Sequence, residues 1–152
     1  MSTITKTTTN AAETQALAYE LVNRIGPAPI IALYGDLGAG KTCFVQGLAS
    51  ALGIKAAVCS PTFTIVNEYI EEGSPRKRLI HADLYRLSGP EELETIGWDD
   101  YIRSGDAMAV EWPDRAEGEF PPNLITIDIR IGDTPDERIF NISLPDDQDA
   151  PK

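Results

Sequence analysis

The eight residues from Gly35 to Thr42 have the composition and spacing of a phosphate-binding loop. They read GDLGAGKT, which matches the pattern G-x-x-x-x-G-K-[ST] at Gly35, Gly40, Lys41 and Thr42. Glycines allow a tight turn that directs several main-chain N–H groups at one anion. A lysine at this position can reach the β- and γ-phosphates of a nucleotide, and the threonine hydroxyl can bind Mg²⁺. The stretch predicts a nucleotide site, and the alternative is an ordinary glycine-rich turn.

The residues on either side of the loop are of the kind that would position it. The apolar run 30–34 precedes it and predicts a strand buried on both faces of a parallel sheet. Residues 41–52 carry one apolar stripe and predict a helix whose N-terminus faces the same anion, with Lys41 outside the core. The predicted nucleotide contacts come from the loop and the first helical turn: Asp36, Leu37, Gly38, Ala39, Gly40, Lys41, Thr42 and Cys43.

Two acidic residues end other predicted strands and are candidates for holding the metal or ordering the attacking water. Asp83 follows the run LIHA, and Glu111 follows the run AMAV. Because the carboxyl ends of parallel strands line one crevice, we expect both acids beside the loop, although acids are mostly surface residues. The predicted catalytic residues include Lys41 and Glu111. The predicted metal ligands are Thr42, Asp83 and Glu111.

Three further residues have two interpretations each. Thr62 follows a Ser-Pro turn, where a threonine could contact Mg²⁺ or the γ-phosphate as in a nucleotide-switch loop, or could be a simple turn residue. His81 is the only histidine and could be structural or catalytic, and we expect it to be structural. Trp112 could stack on a nucleotide or only pack against its neighbours. We include Thr62 among the catalytic candidates and Trp112 among the nucleotide contacts.

The remaining pattern predicts one α/β domain over residues 10–144. Asn10 and Glu13 form a capping-box-like pair at the start of a helix. The polar residues 1–9 are expected to be flexible, and the acidic tail 145–152 to be disordered. The other predicted elements are a helix over 10–25, a hairpin from strands near 63–68 and 79–82, a helical region over 88–103 interrupted at Gly97, a buried strand over 107–110 and a second hairpin from 125–131 and 139–144.

Composition limits the possible partners. The chain has 152 residues and a net charge of −11, which argues against binding nucleic acid on its own, since such proteins usually carry a basic patch. The basic run at 76–78 is expected to be a solvated hairpin tip. There is no long uninterrupted apolar run and the N-terminus lacks a signal-peptide pattern, so we expect a cytoplasmic protein with no membrane association and with free cysteines.

Four short blocks occur in order along the chain: GDLGAGKT at 35–42, SPTF at 60–63, HADLYRL at 81–87 and VEWPDR at 110–115. In this order and spacing they resemble the bacterial TsaE (YjeE) family, the small P-loop ATPases of tRNA threonylcarbamoyladenosine synthesis. The resemblance extends over about residues 12 to 140. It implies a P-loop NTPase-type α/β fold: a three-layer sandwich with a mostly parallel central sheet and antiparallel hairpins.

The resemblance also implies roles for individual residues. It assigns Lys41 to the phosphates of ATP and Thr42 to Mg²⁺. It assigns Asp83 to the metal region and Glu111 to the metal or to the catalytic water. By the same resemblance, a switch-like loop would contain Thr62. The nucleotide would lie near Trp112.

The same family resemblance implies partners. Its members work alongside TsaD and TsaB, which install threonylcarbamoyl on the adenosine beside the tRNA anticodon. They hydrolyse ATP to support repeated cycles of that enzyme, without making the modification themselves. Contact with tRNA would then be indirect, through the partner complex. This expectation agrees with the acidic charge of the chain, since a partner would hold the RNA.

Other P-loop functions are less well supported by the sequence. A small-molecule kinase would need an acceptor pocket and usually an arginine-rich lid, and no such cluster follows the helical region 88–103. A GTPase would need an Asn-Lys-x-Asp element, and none of the asparagines is followed by lysine. A nucleotide-binding module without turnover stays open.

Overall fold

A single mixed sheet of seven strands organises the protein. The computed structural model describes residues 2–26, 28–36, 39–55, 58, 65–73, 76–89 and 91–145. The strands are β1 Ser2–Thr8, β2 Ile30–Tyr34, β3 Val66–Glu71, β4 Lys77–Asp83, β5 Ala107–Glu111, β6 Ile125–Ile131 and β7 Arg138–Leu144. The helices are α1 Ala11–Ile25, α2 Lys41–Ala51, α3 Glu91–Thr95 and α4 Trp98–Ile102, with a 3₁₀ turn at Pro113–Ala116.

The strand order is β1-β7-β6-β2-β5-β4-β3. The four central strands, β6, β2, β5 and β4, are parallel to one another, and the outer pairs β1–β7, β7–β6 and β4–β3 are antiparallel. Strand β5 is buried along its whole length, as expected for a parallel strand covered on both faces. The prediction of an α/β sandwich with antiparallel hairpins is confirmed. The sheet of the protein is mixed, because only the four central strands are parallel.

Each face of the sheet has its own hydrophobic core. Helices α1 and α2 cover one face, where Leu17, Phe44 and Leu48 pack against the strands. Helices α3 and α4 cover the other face around Trp98. The first two helices approach closely at Gly47, where an added Cβ would lie 2.6 Å from the Cα of Gln15. The three layers place the ends of the central strands at one exposed edge, where the loop after β2 begins.

The start of α1 agrees with its predicted cap. The Asn10 side chain accepts a hydrogen bond from the Glu13 N–H at 2.8 Å, and the Glu13 carboxylate accepts one from the Thr9 N–H at 2.8 Å. A cap of this kind contributes about 1 kcal/mol to helix stability. The helical region predicted over 88–103 is two short helices, because Gly97 between them adopts a left-handed conformation.

The N-terminal segment differs from its prediction. Residues 1–9 were expected to be flexible, but Ser2–Thr8 forms strand β1, which pairs along its length with β7. Threonine is β-branched and favours strands, and the exposed edge of the β6–β7 hairpin provides the partner. The segment is fixed to the domain by Ile4, which packs against the core, and by a 2.7 Å hydrogen bond between the hydroxyls of Thr8 and Thr14.

Two other expectations concern the ends and surface of the chain. The predicted disordered tail lies outside the described residues from position 146 onward. Among the helices that the structure describes, none has the length and apolar character needed to cross a bilayer.

Candidate functional site

The predicted loop and the two predicted acids meet at one edge of the sheet. Strand β5 lies between β2 and β4, and its last residue, Glu111, is aligned with Leu33 on one side and with Asp83 on the other. The glycine-rich loop leaves β2 two residues after Leu33. The strand order therefore brings Asp83, Glu111 and the loop together at the carboxyl ends of neighbouring parallel strands.

The loop has the main-chain geometry of a tight turn into a helix. At Gly35, with φ 149°, an added Cβ would lie 2.7 Å from the carbonyl oxygen of Ile129. The Asp36 carbonyl accepts a hydrogen bond from the Ala39 N–H at 3.0 Å. Gly40 has a left-handed conformation, with φ 105°, immediately before α2. A side chain at Gly35 would force the loop away from β6, which explains the glycine there.

Lys41 is buried, with 5% of its surface exposed. Its ammonium donates a hydrogen bond to the Gly35 carbonyl at 2.8 Å and lies 4.0 Å from Oε1 of Glu111. It also lies 4.7 Å from the centroid of the Trp112 ring. Lys41 is thus outside both hydrophobic clusters, as expected, and it is nevertheless buried, because the loop and the aromatic ring enclose its side chain. The buried ammonium and the N-terminus of α2 bring positive charge to a corner that also holds the carboxylates of Asp83 and Glu111.

Glu111 is also buried, with 4% of its surface exposed. Its Oε2 lies 2.6 Å from Nε2 of His81, a residue with no exposed surface. Sequence reasoning treated His81 as structural and missed this contact. The available signal was its position two residues before Asp83, since alternate residues of a strand face the same side of the sheet.

Asp83 is half-buried, and its Oδ1 accepts a hydrogen bond from the Tyr85 N–H at 3.0 Å. Burial raises the pKa of Asp83, the Tyr85 N–H acts against this shift, and the negative charge of Glu111 adds to it. The positive charge of Lys41 and the neighbouring His81 lower the pKa by smaller amounts. Burial is thus the main cause of the raised pKa of Asp83, and the charge of Glu111 is a smaller one.

Trp112 covers the ammonium of Lys41 from an unusual backbone position. Its φ of 56° is left-handed, and no other non-glycine residue in the described ranges has a positive φ. Its ring lies 4.9 Å from that of Tyr85. Such a conformation costs about 1–3 kcal/mol and is found mainly at functional sites. A cleft of about 640 Å³ opens beside it, bounded by Tyr34, Asp36, Lys41, Trp112, Asp114 and Arg130.

The side chains at this edge suit a Mg²⁺ ion that also binds phosphates and water better than a metal ion whose ligands all come from the protein. The described residues contain no cluster of three or more histidine, cysteine or acidic side chains suited to a metal ion. Mg²⁺ usually binds one or two carboxylates and takes its other oxygens from phosphates and water. Asp83 and Glu111 supply two carboxylates whose charges crowd each other, and Thr42 at the start of α2 supplies a hydroxyl.

Several predicted site residues have a limited description. Leu37, Gly38 and Thr62 lie outside the described residues. Cys43 is half-buried, and its Sγ donates a hydrogen bond to the Ala11 carbonyl at 3.8 Å. The Cys43 side chain therefore faces α1, and burial there raises the pKa of its thiol. Any contact with a nucleotide would come from the main-chain N–H of Cys43.

The fold and this edge define a class of protein. A glycine-rich loop joins a buried parallel strand to a helix, and acidic residues end the next two strands of the sheet. This is the α/β architecture of the P-loop type. A family model described as "Threonylcarbamoyl adenosine biosynthesis protein TsaE" matches residues 8–139. The chain belongs to the TsaE family.

Individual relatives agree with this assignment. The chain is 42% identical over 132 residues to the tRNA threonylcarbamoyladenosine biosynthesis protein TsaE of Bacillus subtilis, covering 86% of this chain and 79% of that protein. It is 42% identical over 123 residues to the protein of the same name from Aquifex aeolicus, covering 80% and 82%. A crystal structure of Bacillus subtilis YdiB is similar, with a TM-score of 0.75, 34% identity and coverage of 97% of this chain and 88% of that one.

Proposed function

We propose that the protein is a Mg²⁺-dependent ATPase that serves tRNA threonylcarbamoyladenosine biosynthesis. The observation that carries the proposal is the buried Lys41 ammonium, which lies between the Gly35 carbonyl and Oε1 of Glu111 at the N-terminus of α2. A positive group enclosed in this way is costly unless it has negative partners. A triphosphate seated on the loop is the partner that this geometry suits.

Three features of the chain act on the phosphates. The first turn of a helix leaves main-chain N–H groups without intrahelical partners, so the N-terminus of α2 can present such groups to an anion. The Lys41 ammonium is within reach of the loop carbonyl, so it can exchange that hydrogen bond for phosphate oxygens. Burial strengthens its charge interactions compared with water. We therefore expect affinity to depend on the β- and γ-phosphates.

Hydrolysis requires a group that orients water at the γ-phosphorus. Glu111 is suited to this because its Oε1 faces Lys41 while its Oε2 is occupied by His81. Asp83 lies beside Glu111 at the end of β4 and, with Thr42, would hold the metal. Bound Mg²⁺ would neutralise charge that develops on the phosphate oxygens. The chain itself orients the water and the phosphates.

The partners follow from the family and from charge. The matched relatives are named for tRNA threonylcarbamoyladenosine biosynthesis. A net charge of −11 disfavours direct contact with the phosphates of tRNA. We therefore propose that the protein acts on TsaD and TsaB homologues, reaches tRNA only through them, and works in the cytoplasm. Its ATP turnover would renew the cycle of the partner enzyme.

The test is ATP hydrolysis with and without Mg²⁺, alone and with TsaD and TsaB homologues. We expect turnover that needs Mg²⁺ and association with the partners that changes with ATP. We expect Lys41→Met to lower turnover. Lys6→Met is its matched control, because Lys6 is an exposed lysine on β1. ATP binding without hydrolysis under every condition would identify a nucleotide-binding module instead. Transfer of phosphate to a small acceptor would identify a kinase.

A further inference from the structure

We infer that His81 is a positioning residue for Glu111, and this inference rests on the proposed ATPase function. His81 lies near the end of β4 and is fully buried. It contacts Glu111, the last residue of the neighbouring strand β5. The two atoms, Nε2 and Oε2, are 2.6 Å apart, which is a short hydrogen bond. The contact joins the core of the sheet directly to the candidate catalytic carboxylate.

We infer that Nε2 of His81 donates this hydrogen bond and that Oε2 of Glu111 accepts it. A proton must lie between two atoms at this distance. Oε1, the other oxygen of Glu111, faces the Lys41 ammonium at 4.0 Å, so Oε2 is the oxygen that the ring contacts. Nδ1 of His81 is buried and has no hydrogen-bond partner among the described residues. Of the two ring nitrogens of His81, Nε2 is the one that makes a hydrogen bond within the described residues.

The two oxygens of Glu111 would then have different roles. His81 fixes Oε2, so the carboxylate cannot rotate freely about its last bond. Oε1 is then held on the side of Lys41, where the phosphates and the attacking water are proposed to lie. A carboxylate fixed in advance loses less entropy when it orients water, and this lowers the barrier rather than the affinity. His81 should therefore influence kcat more than ATP binding.

A kinetic test separates this role from simple packing. His81→Leu removes the donor and keeps an apolar side chain in the core, whereas His81→Gln places an amide N–H where Nε2 lies. We expect His81→Leu to lower kcat about 10- to 100-fold, with the ATP Kd from calorimetry changed less than about threefold. His81→Gln should recover kcat to within about fivefold of the wild-type value. Loss of activity in both variants with equal loss of ATP affinity would indicate packing alone.

A double-mutant cycle tests whether His81 acts through Glu111. If it does, His81→Leu should have little further effect on kcat in the Glu111→Ala background, because the carboxylate it orients is gone. Independent, multiplicative effects would overturn the inference. A wild-type protein that hydrolyses ATP but is unaffected by His81→Leu would leave the proposed function standing and remove the positioning role. A wild-type protein without turnover under any condition would remove both.

A spectroscopic readout does not depend on activity. His81 is the only histidine, so a protein labelled with ¹⁵N-histidine gives a single imidazole pattern. We expect the Nε2–H tautomer in the wild type, with a proton protected from exchange. Glu111→Ala should remove this protection, whereas Glu20→Gln, at an exposed carboxylate on α1, should not. An Nδ1–H tautomer in the wild type, or protection unchanged in Glu111→Ala, would overturn the inference.

Discussion

Strands β4 and β5 have a charged cluster near each end, and the two clusters differ in how their charges are paired. Near the amino ends, Arg78 contacts Glu68 at 2.6 Å and Asp106 at 2.8 Å, and the Tyr101 hydroxyl donates to Glu68 at 2.9 Å. We call these four residues the amino-end cluster. Each of its charges has a close partner of opposite sign or a hydrogen bond, and its members are partly exposed to water.

The carboxyl-end cluster, formed by Lys41, His81, Asp83 and Glu111, is more buried and less well paired. The ion pair between Lys41 and Glu111 is 4.0 Å long, longer than either contact of Arg78. The pKa values of two carboxylates, one from each cluster, shift in opposite directions. The Tyr101 hydrogen bond and then Arg78 hold the pKa of Glu68 below its usual value, despite some burial, whereas burial holds the pKa of Asp83 above its own. We therefore expect the amino-end cluster to contribute to stability, and we propose that the carboxyl-end cluster binds a charged ligand.

The largest expected difference between the clusters concerns their cations. Lys41→Met keeps the length of the buried side chain but removes the charge that would bind phosphates, so we expect ATP turnover to fall about 100- to 1000-fold. Arg78→Met removes a cation at the other end of the same strands and should leave turnover within about twofold of the wild type. Steady-state kinetics of both variants is the measurement. Equal losses would show that the carboxyl-end cluster has no special role.

The carboxylates provide the next comparison. Glu111→Gln preserves the shape of the side chain and removes its charge, so we expect kcat to fall about 100-fold while ATP affinity changes little. Glu68→Gln is the matched change in the amino-end cluster and should have almost no effect on kcat. Kinetics with ATP calorimetry distinguishes the two effects. A Glu111→Gln variant with wild-type kcat at saturating ATP would contradict the role of Glu111 in hydrolysis.

For stability, we expect a clear effect of a substitution in the amino-end cluster, which should have little effect on turnover. Arg78→Met leaves Glu68 and Asp106 without their cation, and for such partly exposed pairs we expect a loss of about 1–2 kcal/mol in the free energy of unfolding. Urea unfolding followed by circular dichroism would measure it. Arg76→Met is a suitable control, because Arg76 is an exposed arginine whose ion pair with the exposed Glu72 is 3.5 Å long. A loss in Arg78→Met no larger than in this control would show that the amino-end cluster contributes little.

The smallest expected effect is a pH-dependent change at Asp83. Its pKa is higher in the folded protein than the ordinary 3.8, so the folded state binds more protons above that value and ionised Asp83 lowers stability at neutral pH. Asp83→Asn should therefore raise the melting temperature slightly at pH 7, and the gain should disappear as the pH falls toward about 4. Calorimetric melting from pH 4 to 7 without Mg²⁺ tests this. A gain that grows on acidification would contradict the assigned sign.

Much of the fold followed from local pattern. The helix cap at Asn10 and Glu13, the strand before the loop and the alternating isoleucines of β6 each depend on neighbours a few residues away, and each lies where it was expected. Strand β1 was missed because its pattern of threonines carries no clear apolar face. It becomes a strand only when the edge of β7 is available for hydrogen bonding.

The sequence by itself determined which type of site we propose, since Gly35, Gly40, Lys41 and Thr42 match a phosphate-binding pattern within eight consecutive residues. The tertiary structure decided how the site is built. The contact between His81 and Glu111 joins residues 30 positions apart, and it exists only because β4 lies beside β5. The burial of Lys41 likewise depends on the ring of Trp112, which comes from another strand end. Contacts between distant segments depend on strand order, and no local pattern encodes that order.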